Sequence, residues 1–93
     1  MTPETPTDAY ALALTALAAT LSDERRARRF LDLTGIGTDE LRRTADDRRL
    51  LAALLGFLEA HEPDLVSVSE TIGVTPDALV RARRSLESSR EQQ

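Results

Sequence analysis

The apolar residues of this 93-residue chain return every three or four positions, in runs that stop twice at a glycine, Gly35 and Gly73. That spacing is the signature of helices with one buried stripe, and it leaves little room for strands, whose period is two. The residue types agree. The chain holds two Phe, one Tyr and no Trp, so its core must be built from Leu and Ala, both strong helix formers. Val, Ile and aromatic residues, on which strands draw, are scarce. The expected class is all-α, a compact orthogonal bundle of about five to six helices. A chain of this size buries roughly 64% of its unfolded surface, enough for a core without disulfides.

Residues 1–6 carry two prolines and no apolar period, and they read as a disordered lead-in. A single helical domain is expected over 7–88, followed by a frayed tail at 89–93. Thr7 or Asp8 caps a first helix to about Leu21, with Tyr10, Ala13, Leu14, Leu17, Ala18 and Leu21 as its stripe. Ser22 opens a second helix with Ala27, Phe30, Leu31 and Thr34 facing inward and Arg25, Arg26, Arg28 and Arg29 outward. Thr38 caps a short third. Asp46 or Asp47 opens a fourth, Leu50 to Leu58, apolar on nearly every side and so expected to be the central helix. Pro63 starts a fifth, with Leu65, Val66, Val68 and Ile72 inside. Thr75 and Pro76 start a sixth, anchored by Leu79 and Leu86.

A shift of 38 residues brings the two halves into register without a gap. Leu12 falls on Leu50, Leu17 on Leu55, Glu24 on Glu62, Gly35 on Gly73, Asp39 on Asp77, Leu41 on Leu79 and Arg43 on Arg81. The chain therefore reads as two pseudo-repeats of about 38 residues, at about 9–46 and 47–86. Two units are too few for a solenoid, and one bundle is the expected result. The glycines recur because a helix that stops and reverses uses a positive φ, where a Cβ is unfavourable.

Several segments also carry a family likeness. Arg29-Phe30-Leu31-Asp32-Leu33-Thr34-Gly35-Ile36, Asp39-Glu40-Leu41-Arg42, Leu54-Leu55-Gly56-Phe57-Leu58, and Gly73-Val74-Thr75-Pro76-Asp77-Ala78-Leu79-Val80-Arg81-Ala82-Arg83 stand in that order. Together they resemble the bacterial family catalogued as domain of unknown function 3572. The likeness spans roughly Ala9 to Leu86. Gly37 and Thr38 depart from it, standing where the family is expected to carry Asp-Pro. The resemblance implies a compact helical protein and transfers no catalytic residue.

The residues exclude more chemistry than they suggest. There is no Cys, hence no thiolate nucleophile and no thiolate metal site. All twelve basic residues are Arg, so Schiff-base chemistry and a phosphate-loop lysine are absent. His61-Glu62-x-Asp64 is the only metal-capable grouping, and one imidazole falls short of a transition-metal ligand set. His61 reads instead as a favourable charge at a helix C-terminus. No Ser–His arrangement can be argued, so no catalytic residue, metal or cofactor is expected. Nothing resembles a signal peptide or a membrane span, and a cytoplasmic location is expected.

The functional alternative is a helix-turn-helix over Leu65–Leu86, with Ser69 in the first helix, Gly73 in the turn and Leu79 as the anchor. Arg81, Arg83 and Arg84 would then contact DNA or another anion. Glu59, Glu62, Asp64, Glu70 and Asp77 oppose it, since no Arg or Lys lies among them and the net charge is −4. Arg runs on helix faces are more often solvated surface. The favoured expectation is a non-catalytic interaction or structural module, a monomer or weak homo-oligomer with a protein partner, nucleic acid being the lesser reading.

Overall fold

The computed structural model describes residues 6–91, with side chains for 8–88. Six helices follow one another: α1 (Pro6–Leu21), α2 (Glu24–Thr34), α3 (Thr38–Thr44), α4 (Arg48–Glu59), α5 (Glu62–Ile72) and α6 (Pro76–Glu91). Among the described residues there is no strand. Of the lead-in expected at 1–6, residues 1–5 lie outside the described residues and Pro6 already begins α1, so Thr7 and Asp8 stand inside that helix rather than at its cap. Of the tail expected at 89–93, residues 89–91 continue α6 and the last two lie outside the described residues.

The connections are short because each helix end is specified locally. Asp23 caps α2 by accepting from Arg26 N at 3.0 Å, and Asp47 caps α4 by accepting from Arg49 N at 2.7 Å. Thr75 accepts from Ala78 N at 3.1 Å ahead of Pro76. Gly35 and Gly73 end α2 and α5 at φ 73° and 79°, the left-handed conformation the sequence implied. Thr38 differs from its expected role: it is the first residue of α3, whose N-cap, Gly37, offers no side chain.

The core is one cluster in which α1 touches α2, α4, α5 and α6. Ala9, Ala13, Ala16 and Leu17 of α1 meet Leu51, Leu54, Leu55 and Leu58 of α4 and Leu79, Ala82 and Leu86 of α6 in this cluster. Alanine on α1 lets its neighbours approach closely, and leucine on the others fills the space. Tyr10 donates to the Asp46 carbonyl at 2.8 Å and ties α1 to the start of α4. The radius of gyration, 12.3 Å, equals the value of about 12 Å expected for a compact chain of this length.

Further sequence expectations need correction, beginning with the cap of α2, which is Asp23 and not Ser22. The α1 stripe is rotated: Ala18 is exposed, whereas Ala16 and Thr20 are buried, Thr20 satisfying its hydroxyl on the Ala16 carbonyl at 2.8 Å. On α2 and α5, Thr34 and Val66 face solvent. Arg26 points inward rather than out, its side chain only 14% exposed. Finally, α4 is not enclosed. Its leucines are buried, but Ala53 and Ala60 are exposed and Gly56 and Phe57 half-buried, so one flank of an almost wholly apolar segment meets solvent. No helix of the described residues is long and apolar enough to cross a membrane.

Candidate binding surface

The open flank of α4 carries two adjoining hollows. The first, about 400 Å³, lies between α2 and α4 and is lined by Arg29, Leu33, Thr34, Ala53, Phe57 and Ala60, with His61 at its end. The second, about 740 Å³, lies between α4 and α6, over Ala52, Ala53 and Gly56, with Arg48, Arg49 and Arg83 at its sides. Ala53 and Ala60 line both, so the two form one strip along α4.

The first hollow is shaped by α2. Arg26, Arg29, Phe30 and Leu33 stand at i, i+3, i+4 and i+7, which places them on one face of the helix. Phe30 is fully buried and meets Phe57 edge-on, the ring centroids 5.3 Å apart at 67°. Such pairs contribute about 0.5–1.5 kcal/mol beyond burial. Arg29 lies 5.5 Å from the Phe57 centroid and is bonded to Asp64 of α5. Leu33, one turn on, has nothing to cover it and is 75% exposed.

Asp64 is the anchor of this arrangement. It is 6% exposed, and it accepts from Arg26 Nε at 3.1 Å and from Arg29. Arg26 also donates to Ser67 Oγ at 3.2 Å. A carboxylate this buried needs such partners, since an isolated buried charge is strongly unfavourable. The clue in the sequence is positional. Asp64 shares a face with Val68 four residues on, so a charge sits on a stripe that is otherwise buried, and the Arg pair on α2 is the nearest answer.

In the second hollow, Glu59 and Glu87 both bind Arg83, the latter at 2.8 Å from Nη1. The hydrogen bond to Glu59 raises the Arg83 pKa above its ordinary value against the opposing pull of desolvation, so the guanidinium stays charged. Gly56 forms the floor. A glycine inside a helix is about 0.5–1 kcal/mol less stable than alanine. Yet a Cβ at Gly56 would meet only Arg83 Cδ, at 3.9 Å, so packing within the molecule does not require it.

The residues singled out for an anion are dispersed by this geometry. Arg83 is turned into the α4–α6 groove, Arg81 is bonded to Asp77 one turn back, and Arg84 is exposed. His61 is exposed and stands as the N-cap of α5, without a side-chain cap bond, directly after the last turn of α4. Its position at an N-terminus removes the simple charge–dipole role expected of it. Among the described residues no three His, Cys, Asp or Glu converge as metal ligands. Sequence reasoning missed Leu33, Phe57 and Asp64. Leu33 was the most findable, a large apolar residue three positions after Phe30 that the inward set Ala27, Phe30, Leu31 and Thr34 left out.

What the strip offers is apolar area and a low floor, bordered by arginines and glutamates. A family model described as Protein of unknown function (DUF3572) matches residues 6–89. No curated protein and no solved structure matches the chain.

Proposed function

The chain belongs to this family of proteins of unknown function, and with no chemistry assigned to the family we propose that it is a non-catalytic protein-interaction module. The observation that carries the reading is Leu33, 75% exposed at the rim of an apolar hollow floored by Ala53 and Phe57. A lone exposed leucine is ordinary, whereas one beside a half-buried aromatic and a concave apolar surface supports recognition of another side chain. The module acts in the cytoplasm as a monomer or weak homo-oligomer and uses no cofactor.

The test is site-specific photo-cross-linking in cells. A benzophenone side chain at position 33 is expected to give a discrete protein adduct, and the same group at the exposed Glu40 of α3 is not. Leu33→Asp, at a side chain 75% exposed, is expected to abolish co-purification of the adduct's partner without lowering the melting temperature. Absence of any adduct at position 33 would overturn the reading.

The helix-turn-helix alternative draws on Arg84 alone among its three arginines, since Arg81 and Arg83 are engaged by acids. Retardation of duplex DNA at low salt, lost in Arg84→Glu, would revive it.

A further inference from the structure

We propose that two copies of this chain exchange halves, α1–α3 of each copy seating on α4–α6 of the other, with α3 and α4 of each copy joined into one helix. The proposal is independent of what the open flank of α4 binds. It begins with where the first half finds its core. Among the described residues, α1 lies closely against α4, α5 and α6, and within its own half closely against α2 alone. α3 packs closely on no other helix and gives the core only Leu41. The first half is therefore held by the second more than by itself, and the second half of another copy offers the same seat. Exchange of identical elements keeps the contacts between halves and changes only the hinge.

The hinge is built to straighten. Only Ala45, Asp46 and Asp47 separate α3 from α4. Ala45 is already helical, at φ −59° and ψ −27°, and Asp47 is extended, at φ −74° and ψ 127°. No glycine or proline stands between Thr38 and Leu55, so the sequence accepts a continuous helix there. The turns at Gly35 and Gly73, by contrast, are made at positive φ, which a helix does not use. Charge agrees with joining. In a continuous helix Arg42 and Asp46, like Arg43 and Asp47, stand four apart, and Asp46 and Arg49 three apart, the spacings of favourable pairs. Two bonds hold the hinge closed. Asp47 caps α4 through the Arg49 amide, and Tyr10 of α1 donates to the Asp46 carbonyl, which a continuous helix gives to the Leu50 amide instead.

The experiment takes the full chain through unfolding in urea and refolding at high concentration, with mass read by light scattering after size-exclusion chromatography. A dimer whose share rises with concentration is expected. Asp47→Ala removes one cap from each chain and is expected to tighten that dimer about thirtyfold. Arg48→Pro acts the other way. Position 48 is the first of α4 and Asp47 before it is extended, the conformation preferred ahead of proline, so the closed fold accepts the ring. A continuous helix breaks there, and the dimer is expected to weaken by about a hundredfold or more while the monomer's melting curve is kept. Exchange itself is read by complementation at the pair that joins the halves, Arg26 and Asp64. Arg26→Asp sets acid against acid and Asp64→Arg sets arginine against arginine, so each variant alone is expected to lose stability. Refolded together, they are expected to form a heterodimer with one native interface and one carrying the pair reversed, melting as high as a single chain with both substitutions. Absence of any dimer of the unsubstituted chain overturns the proposal. So does a dimer that survives Arg48→Pro, which places association on a surface of the closed fold, and so does a mixture that melts no higher than its parts.

Discussion

The two halves of the molecule share a frame and differ in what fills it. At an offset of 38 residues α2 and α5 have identical bounds, their N-caps are Asp23 and His61, and their stops are Gly35 and Gly73. Buried residues coincide at 13 and 51, 16 and 54, 17 and 55, 20 and 58, 30 and 68, and 41 and 79. The contents diverge. Where α1 has Ala13, Ala16 and Thr20, α4 has Leu51, Leu54 and Leu58. The seven residues of α3 contribute only Leu41 to the core, whereas α6, with sixteen, contributes Leu79, Ala82 and Leu86. At the matched positions 26 and 64 the charges are opposite, and they bond to each other. Difference at matched positions is what lets the halves interlock: small against large, and cation against anion.

The sharpest way to break that comparison is to make matched positions alike. Leu54→Ala, which gives α4 the residue of α1, should cost about 2–5 kcal/mol by opening a cavity at a fully buried site. Ala16→Leu, the reverse change, should cost about 1–3 kcal/mol by overpacking. Urea melts measure both. Tolerance of Ala16→Leu without loss would mean that α1 does not need small residues, and the interlocking account would fail.

The cross-half ion pair comes next. Asp64→Ala strands Arg26, 14% exposed, and should cost about 3 kcal/mol, the lower end for an uncompensated buried charge because Arg29 turns readily to water. The double variant Arg26→Met with Asp64→Leu should recover most of that loss. If the double variant is as unstable as Asp64→Ala, the pair is not what couples α2 to α5.

How far these features were legible follows from their physical cause. Helix number, the glycine stops and the Asp47 and Thr75 caps depend on local chemistry, and each was readable. The all-α class rested on composition and period in the same way. The rotation of α1 was not readable, because Ala16 and Ala18 differ only in which neighbour lies opposite. Arg26 was misplaced for a related reason: on α2 alone an arginine belongs outside, and only Asp64, contributed by another helix, draws it in. The strip was hidden because α4 looks like a core helix along its whole length. Its exposed flank depends on α2 and α6 standing apart, a tertiary fact that no single segment encodes.

Smaller effects test the shared frame itself. Gly35→Ala and Gly73→Ala should each cost about 1–2 kcal/mol at positive φ, whatever the space around them. Their consequences should differ. Val74 N donates to the Ser69 carbonyl at 2.9 Å and leads into α6, so strain at Gly73 should lower global stability. Gly35 N donates to the Leu31 carbonyl at 2.8 Å and leads only into α3, so strain there should appear as faster amide exchange in α3. Equal exchange patterns in the two variants would place α3 in the same cooperative unit as α6.

The smallest effect separates the two N-caps, and it carries a pH dependence. The backbone amide of Arg26, bonded to Asp23, holds the Asp23 carboxyl below its ordinary value. Its folded pKa is therefore depressed, so the cap stabilises α2 above the unfolded carboxylate range and is lost as pH falls through the folded value. At the matched position His61 makes no side-chain cap bond, so α5 has nothing equivalent to lose. Acid titration followed by amide shifts should show the Arg26 amide moving with Asp23 while no cap-linked shift occurs at Asp64, the third residue of α5. His61→Ser should supply the missing acceptor and raise stability by about 0.5 kcal/mol. A loss on that substitution would show that the imidazole, standing at the end of the strip, is held by contacts stronger than a cap.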